Sequence, residues 1–87
     1  MSKDEILSFD VKVSIDACGL QCPLPLLRAK QGLRSLEQGD LLRISATDSG
    51  SLRDFHSFAD ISGHRLEGFC ETDGIYIYLL RKSSQAL

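Results

Sequence analysis

The sequence predicts an α+β domain of order β-α-β-α-β-β, a two-layer α/β sandwich with two helices on one face of a four-stranded mixed sheet. Three observations predict it. The spacing of apolar residues switches between a period of two and one near 3.6 along the chain. Glycine-containing breaks at Gln38-Gly39-Asp40 and Ser62-Gly63 separate the periodic segments. Thr72-Asp73-Gly74 then divides the last two apolar segments with a hairpin signal. With 87 residues, the chain has room for one modest core, since a domain this small buries roughly 60–65% of its unfolded surface.

Residues 1–8 are polar with two aliphatics and read as a flexible leader outside a single domain at 9–82. Phe9, Val11, Val13 and Ile15 alternate with Asp10, Lys12, Ser14 and Asp16, the pattern of a half-buried strand. Ala17 to Gln21 follows as a turn, with Gly19 free to take a positive φ. Over residues 23–36 the recurrence of Leu26, Ala29, Leu33 and Leu36 predicts a helix. Gly32 inside it costs about 1 kcal/mol relative to alanine, and Gly39 suits its left-handed C-cap. Leu41 to Ala46 is apolar enough for a central strand.

Ser51 followed by Asp54 resembles a capping box with a shortened acid. Leu52, Phe55, Phe58 and Ala59 supply the apolar stripe of a second helix, ending near Gly63. Residues 64–70 and Ile75 to Arg81 form the closing hairpin, and 83–87 a frayed tail.

The charge balance narrows the function. Ten Lys and Arg against twelve Asp and Glu leave a net charge of −2, so no global basic field exists for strong direct binding of nucleic acid. The longest apolar run, Ile75 to Leu80, falls far short of the roughly 18–20 residues that span a bilayer. Met1 to Glu5 lacks the basic and apolar regions of a signal peptide. Three cysteines, at 18, 22 and 70, are an odd and sparse set for a secreted scaffold. The expectation is a cytoplasmic monomer with no membrane contact, whose thiols stay reduced.

The chemistry concentrates in Asp16-Ala17-Cys18-Gly19-Leu20-Gln21-Cys22-Pro23-Leu24-Pro25. With Cys22 as the helix N-cap, Pro23 falls at N1 and Pro25 at N3, and neither donates a hydrogen bond. The one remaining early amide, that of Leu24, is then expected to point at the Cys22 sulfur. Together with the positive end of the helix dipole it favours the thiolate, lowering the Cys22 pKa and stabilising a persulfide anion. The alternative is a small residue at a helix start, with the prolines setting the chain direction.

The pattern Asp16-x-x-Gly19-x-x-Cys22-Pro23-x-Pro25 resembles the signature of the TusA (SirA-like) sulfur-transfer proteins. The likeness continues through Gly39-Asp40, Ala46-Thr47-Asp48, Arg53-Asp54, Gly63-His64-Arg65-Leu66 and the Asp73-Gly74 hairpin with Arg81-Lys82. It implies the fold of the C-terminal domain of a bacterial translation initiation factor. It also implies that Cys22 accepts sulfane sulfur as a persulfide; Asp16, Gly19, Pro23, Leu24 and Pro25 are read beside it as the support of the helix cap. The implied partners are a cysteine desulfurase or other persulfide donor and a downstream acceptor, in the best-known members toward tRNA thiolation. The helix face bearing Lys30 and Arg34, four residues apart, would meet the donor.

The chain departs from the common family pattern in its extra thiol, Cys18, in Ser49 where proline is usual, and in Leu24 between the prolines, where some members carry a charge. Cys18 introduces a second reading, a thiol–disulfide switch with Cys18 as resolving thiol for Cys22. A third is an interaction module without transfer chemistry. Cys70 reads as a packing residue in phase with Leu66 and Gly68, and His56 and His64 as a helix-surface and a strand-start residue. A zinc site from Cys18, Cys22, Cys70 and His64 lacks the second half of a zinc-ribbon pattern, so no metal is expected, and transfer by displacement at sulfur calls for no organic cofactor.

Overall fold

In a computed structural model that describes residues 1–83, three helices and four strands follow in the order α1 (Lys3–Ser8), β1 (Val13–Ala17), α2 (Leu24–Arg34), β2 (Leu41–Ala46), α3 (Ser51–Ser62), β3 (Arg65–Thr72) and β4 (Ile75–Arg81). The strands form one sheet of order β1-β2-β4-β3. β1 pairs parallel to β2, from Val13↔Leu42 to Ala17↔Ala46, and β4 is antiparallel to both β2 and β3. The expected mixed sheet is therefore present, with the hairpin folded so that β4 lies between the parallel strands β2 and β3.

The period of two on β2 and β4 sorts their side chains to two faces. On one, Leu42, Ile44, Tyr78 and Leu80 pack against Ala29 and Leu33 of α2, Leu36 just beyond it, and Phe55 of α3. A Cβ on Gly32 would stand 2.7 Å from Leu42 Cδ1 and 3.0 Å from Ile15 Cδ1. The glycine that weakens the helix locally is what lets α2 lie close on the sheet.

The opposite face differs from the sequence reading. Residues 1–8, read as a loose leader, contain α1, whose Ile6 is fully buried in a second cluster with Leu41, Cys70, Ile77 and Leu79. A six-residue helix cannot hold itself in water; this one is secured at both ends. Ser2 and Glu5 form a reciprocal capping box. Arg43 Nη1 donates to the carbonyls of Ile6, Leu7 and Phe9 at 3.3, 3.3 and 3.4 Å, placing a cation at the helix C-terminus. Phe9 consequently leaves the strand and ends the helix, and β1 begins only at Val13.

β3 also departs from simple alternation. A register shift between Leu66 and Gly68 puts Leu66 opposite Leu80 and Cys70 opposite Ile77, so Leu66 and Cys70 serve different faces. The strand runs two residues beyond the expected 70. The tail assigned to 83–87 lies outside the described residues from 84 onward.

Truncating Ile6→Ala removes the buried anchor of α1 and is expected to destabilise the domain by about 2–4 kcal/mol, read as a lowered urea midpoint at unchanged slope. A change below about 0.5 kcal/mol would mean that the domain does without α1.

Candidate functional site

Because β1 and β2 run parallel and are in register at Ala17↔Ala46, the loops leaving their C-terminal ends emerge side by side. The first carries Cys22 and the second Asp48. Asp16 Oδ1 accepts the Cys18 N–H at 3.0 Å, and the Leu20 N–H reaches the Ala17 carbonyl at 3.2 Å. Gly19, at φ +85°, turns its N–H to Thr47 Oγ1 at 2.9 Å, tying one loop to the other. Leu20 packs against the helix-side core, and the chain reaches Cys22 exposed at the surface.

The start of α2 differs from expectation. Pro23, joined to Cys22 by a cis peptide, is the N-cap, and no side chain caps the helix. The Leu24 N–H donates to the Gln21 carbonyl at 2.8 Å rather than to sulfur. Pro25 is buried beneath the first turn, whereas Leu24 and Leu27 are 45% and 44% exposed.

What the sulfur meets instead comes from α3. Its first residue, Ser51, is no cap: Gly50 occupies that position, and the buried Ser51 hydroxyl bonds the Tyr78 hydroxyl at 2.8 Å. Phe55 stacks on Tyr78 with ring centroids 4.3 Å apart. These two contacts pin the first turn of α3 to β4. Asp48 Oδ2 accepts the Gly50 N–H at 3.0 Å in a turn that a side chain at 50 would crowd, since a Cβ there would lie 2.9 Å from that oxygen and 3.5 Å from Cys22 Cβ. One turn into the helix, Asp54 Oδ2 accepts the Cys22 thiol at 2.6 Å.

This contact reverses the expected electrostatics. The hydrogen bond to Asp54 pushes the Cys22 thiol up from its ordinary range, aided by partial desolvation and by the negative charges of Asp54 and Asp48. Arg53 opposes them weakly; its Nε stands 4.0 Å from Asp54 Oδ1 on an exposed side chain. A full carboxylate charge in contact with sulfur outweighs the fractional charge of a helix end. The site is thus a surface thiol, kept protonated by an acceptor already in hydrogen-bond contact.

The profile of the family described as "Sulfurtransferase TusA" matches residues 13–82, from the first strand to the end of the last. The chain belongs to the TusA family. It is 43% identical over 74 residues to a sulfur carrier protein TusA of Allochromatium vinosum, covering 85% of this chain and 97% of that one. To a sulfur carrier protein TusA of Pseudomonas syringae pv. syringae it is 36% identical over 81 residues, 93% and 96% of the two chains. A solved SirA-like protein from Desulfitobacterium hafniense superposes with a TM-score of 0.72 at 28% identity, over 83% of this chain and 99% of that one.

Set on this TusA fold, the other residues singled out by sequence separate. Asp16 and Gly19 shape the loop; the hydrogen bond from the Cys18 amide holds the Asp16 carboxyl below its usual range, against a smaller opposing effect of desolvation. Cys18 lines a groove on the α1 face with Lys3, Leu7, Arg43, Ser45 and Ile77, where desolvation and Asp16 push its thiol up. Its surroundings are thus not those of Cys22. Lys30 and Arg34 line a groove between α2 and α3 together with Phe58, Ile61 and Lys82, Lys30 Nζ lying 5.5 Å from the Phe58 ring centroid.

His56 Nδ1 bonds the Leu52 carbonyl and the buried His64 accepts the Ser83 N–H; neither is a partner of Cys22. Among the described residues, no cluster of three or more His, Cys, Asp or Glu is arranged to hold a metal ion, and no helix is long and apolar enough to cross a membrane. The residue missed by sequence reasoning is Asp54. Its spacing from Ser51 suggests a capping acid, and only the fold reveals its partner 32 positions earlier.

Iodoacetamide should modify Cys22 in the folded protein at neutral pH more slowly than in the urea-unfolded chain, despite its exposure, with a pH–rate midpoint displaced upward. A downward displacement would contradict the carboxylate's control of the thiol. Separately, Tyr78→Phe leaves the buried Ser51 hydroxyl without its partner and is expected to cost about 1–2 kcal/mol by urea unfolding.

Proposed function

We propose that this chain is a sulfur carrier that receives sulfane sulfur as a persulfide on Cys22 from a donor such as a cysteine desulfurase and yields it to an acceptor thiol. The observation that carries the reading is the placement of Cys22: an exposed thiol at the junction of two loops, with a proton acceptor in contact. The transfer is displacement at sulfur and calls for no metal or organic cofactor. A thiol on a surface, rather than in a closed cavity, can enter a donor site and then an acceptor site.

The surroundings support docking. Leu24 and Leu27 on the first turn of α2, and Leu52 on the first turn of α3, are between 37% and 45% exposed. They offer apolar area beside the thiol, the composition typical of the centre of a transient interface. The cations Lys30 and Arg34 stand further along α2 and are proposed to meet an acidic rim on the donor, where charges act chiefly on association rate.

Incubation with a cysteine desulfurase and cysteine should add about 32 Da, one sulfur atom, to the wild-type mass, removable by a thiol reductant. Cys22→Ser should carry no adduct, whereas Cys18→Ser and Cys70→Ser should load as the wild type does. Loading of Cys22→Ser, or its loss only in Cys18→Ser, would reject Cys22 as the carrier position.

A further inference from the structure

The established family membership says nothing of how the Cys22 proton leaves when sulfur arrives. In the free protein the thiol hydrogen is donated to Asp54 Oδ2 at 2.6 Å, and among the described residues this carboxylate is the one hydrogen-bond partner of the sulfur. The charged groups facing the thiol are Asp54 and Arg53 of α3 and Asp48 of the preceding loop; the first turn of α2 contributes no acid. Asp54 is held in place by a turn anchored through Ser51 to Tyr78 and through Phe55 stacking on the same ring. A carboxylate so fixed against a surface thiol is costly for reactivity at rest, because it lowers the thiolate fraction that attacks sulfur.

We propose that Asp54 is a catalytic residue for sulfur transfer, the proton acceptor that keeps Cys22 a thiol in the unloaded carrier and takes its proton when a donor persulfide docks. The inference rests on Cys22 being the carrier position. The balanced step is Cys22–SH plus donor–S–S⁻ giving Cys22–S–S⁻ plus donor–SH. A lone pair of Sγ forms the new S–S bond with the donor's terminal sulfur. The electron pair of the donor's own S–S bond departs on its inner sulfur. Nothing is oxidised or reduced overall: one sulfane sulfur and one negative charge move to Cys22. The proton passes from Sγ to the Asp54 carboxylate and ends on the departing donor thiolate.

Docking supplies the driving force. A persulfide anion approaching Cys22 meets the negative charges of Asp54 and Asp48, and burial in the donor's site strengthens that repulsion by excluding water. Transfer of the thiol proton to Asp54 moves that charge onto Sγ, where the electron pair is consumed in the new S–S bond as the donor's inner sulfur departs. In the free carrier the same contact leaves Cys22 protonated and slow toward adventitious oxidants and alkylating agents, so reactivity is confined to the docked state.

The test compares wild type, Asp54→Asn and Asp54→Glu in two assays: iodoacetamide modification of Cys22 against pH, and sulfur loading by a desulfurase with cysteine, followed by mass in single-turnover time courses. Circular dichroism and urea midpoints check folding. Asp54→Asn should move the two rates in opposite directions. Alkylation at neutral pH should quicken about threefold or more as the midpoint falls, while loading at saturating carrier slows roughly tenfold or more. Asp54→Glu, which keeps the carboxylate, should restore a substantial part of loading.

Loading that rises together with alkylation in Asp54→Asn would overturn the proposal, since Asp54 would then only suppress the thiolate. An unchanged alkylation profile would overturn it too. If Asp54→Asn does not fold, loading by Asp54→Glu decides alone: a folded glutamate variant that loads no faster than Cys22→Ser rejects proton acceptance at this position. Absence of loading in the wild type would reject the carrier reading itself, a result distinct from each of these.

Discussion

The parallel pairing of β1 with β2 is the constraint on which the site depends. Parallel neighbours end at the same edge of a sheet, and here Ala17 lies opposite Ala46 at that edge. Each strand then feeds a helix on the same face, so two loops and two helix N-termini converge where the strands stop, the usual location of function in sheets with such connections. The Gly19 amide on Thr47 Oγ1 locks one loop to the other. Without the parallel register, Cys22 and Asp54 would be unrelated residues on separate elements.

The electrostatics of the thiol follow from this convergence. A helix N-terminus alone would have favoured the thiolate, as cysteines at such positions commonly show. Two things cancel that advantage. Pro23 takes the cap position and the Leu24 amide closes a turn onto Gln21, so the helix offers the sulfur little. The second helix meanwhile delivers a carboxylate to it. Contact with a full charge prevails over a partial one at greater distance, and the resting state is a hydrogen-bonded thiol.

The two faces of the sheet divide the labour. The α2 and α3 face buries the larger core and builds the Cys22 site. The opposite face carries Ile6, Cys70 and the Cys18 groove. The bulge in β3 joins these halves by letting one strand serve Leu66 to the first core and Cys70 to the second. The three cysteines are thus separated in surroundings by geometry: Cys22 beside Asp54, Cys18 beside Asp16 and Ser45, and Cys70 packed in an apolar cluster.

Periodicity and turn chemistry in the sequence by themselves determined the two long helices, the four strands, the closing hairpin and the prominence of Cys22, because each is a local property of a few adjacent residues. The helix capped by Ser2 and Glu5 is not legible there, since six residues are stable only against Ile6's pocket and the Arg43 guanidinium. The single-residue register shift in β3 left no local mark, and it reversed the face assigned to Cys70. Tertiary structure alone decided the state of the thiol. Its controlling partner lies 32 residues away, and a through-space interaction between a sulfur and a carboxylate depends on distance in the fold, which sequence spacing does not encode.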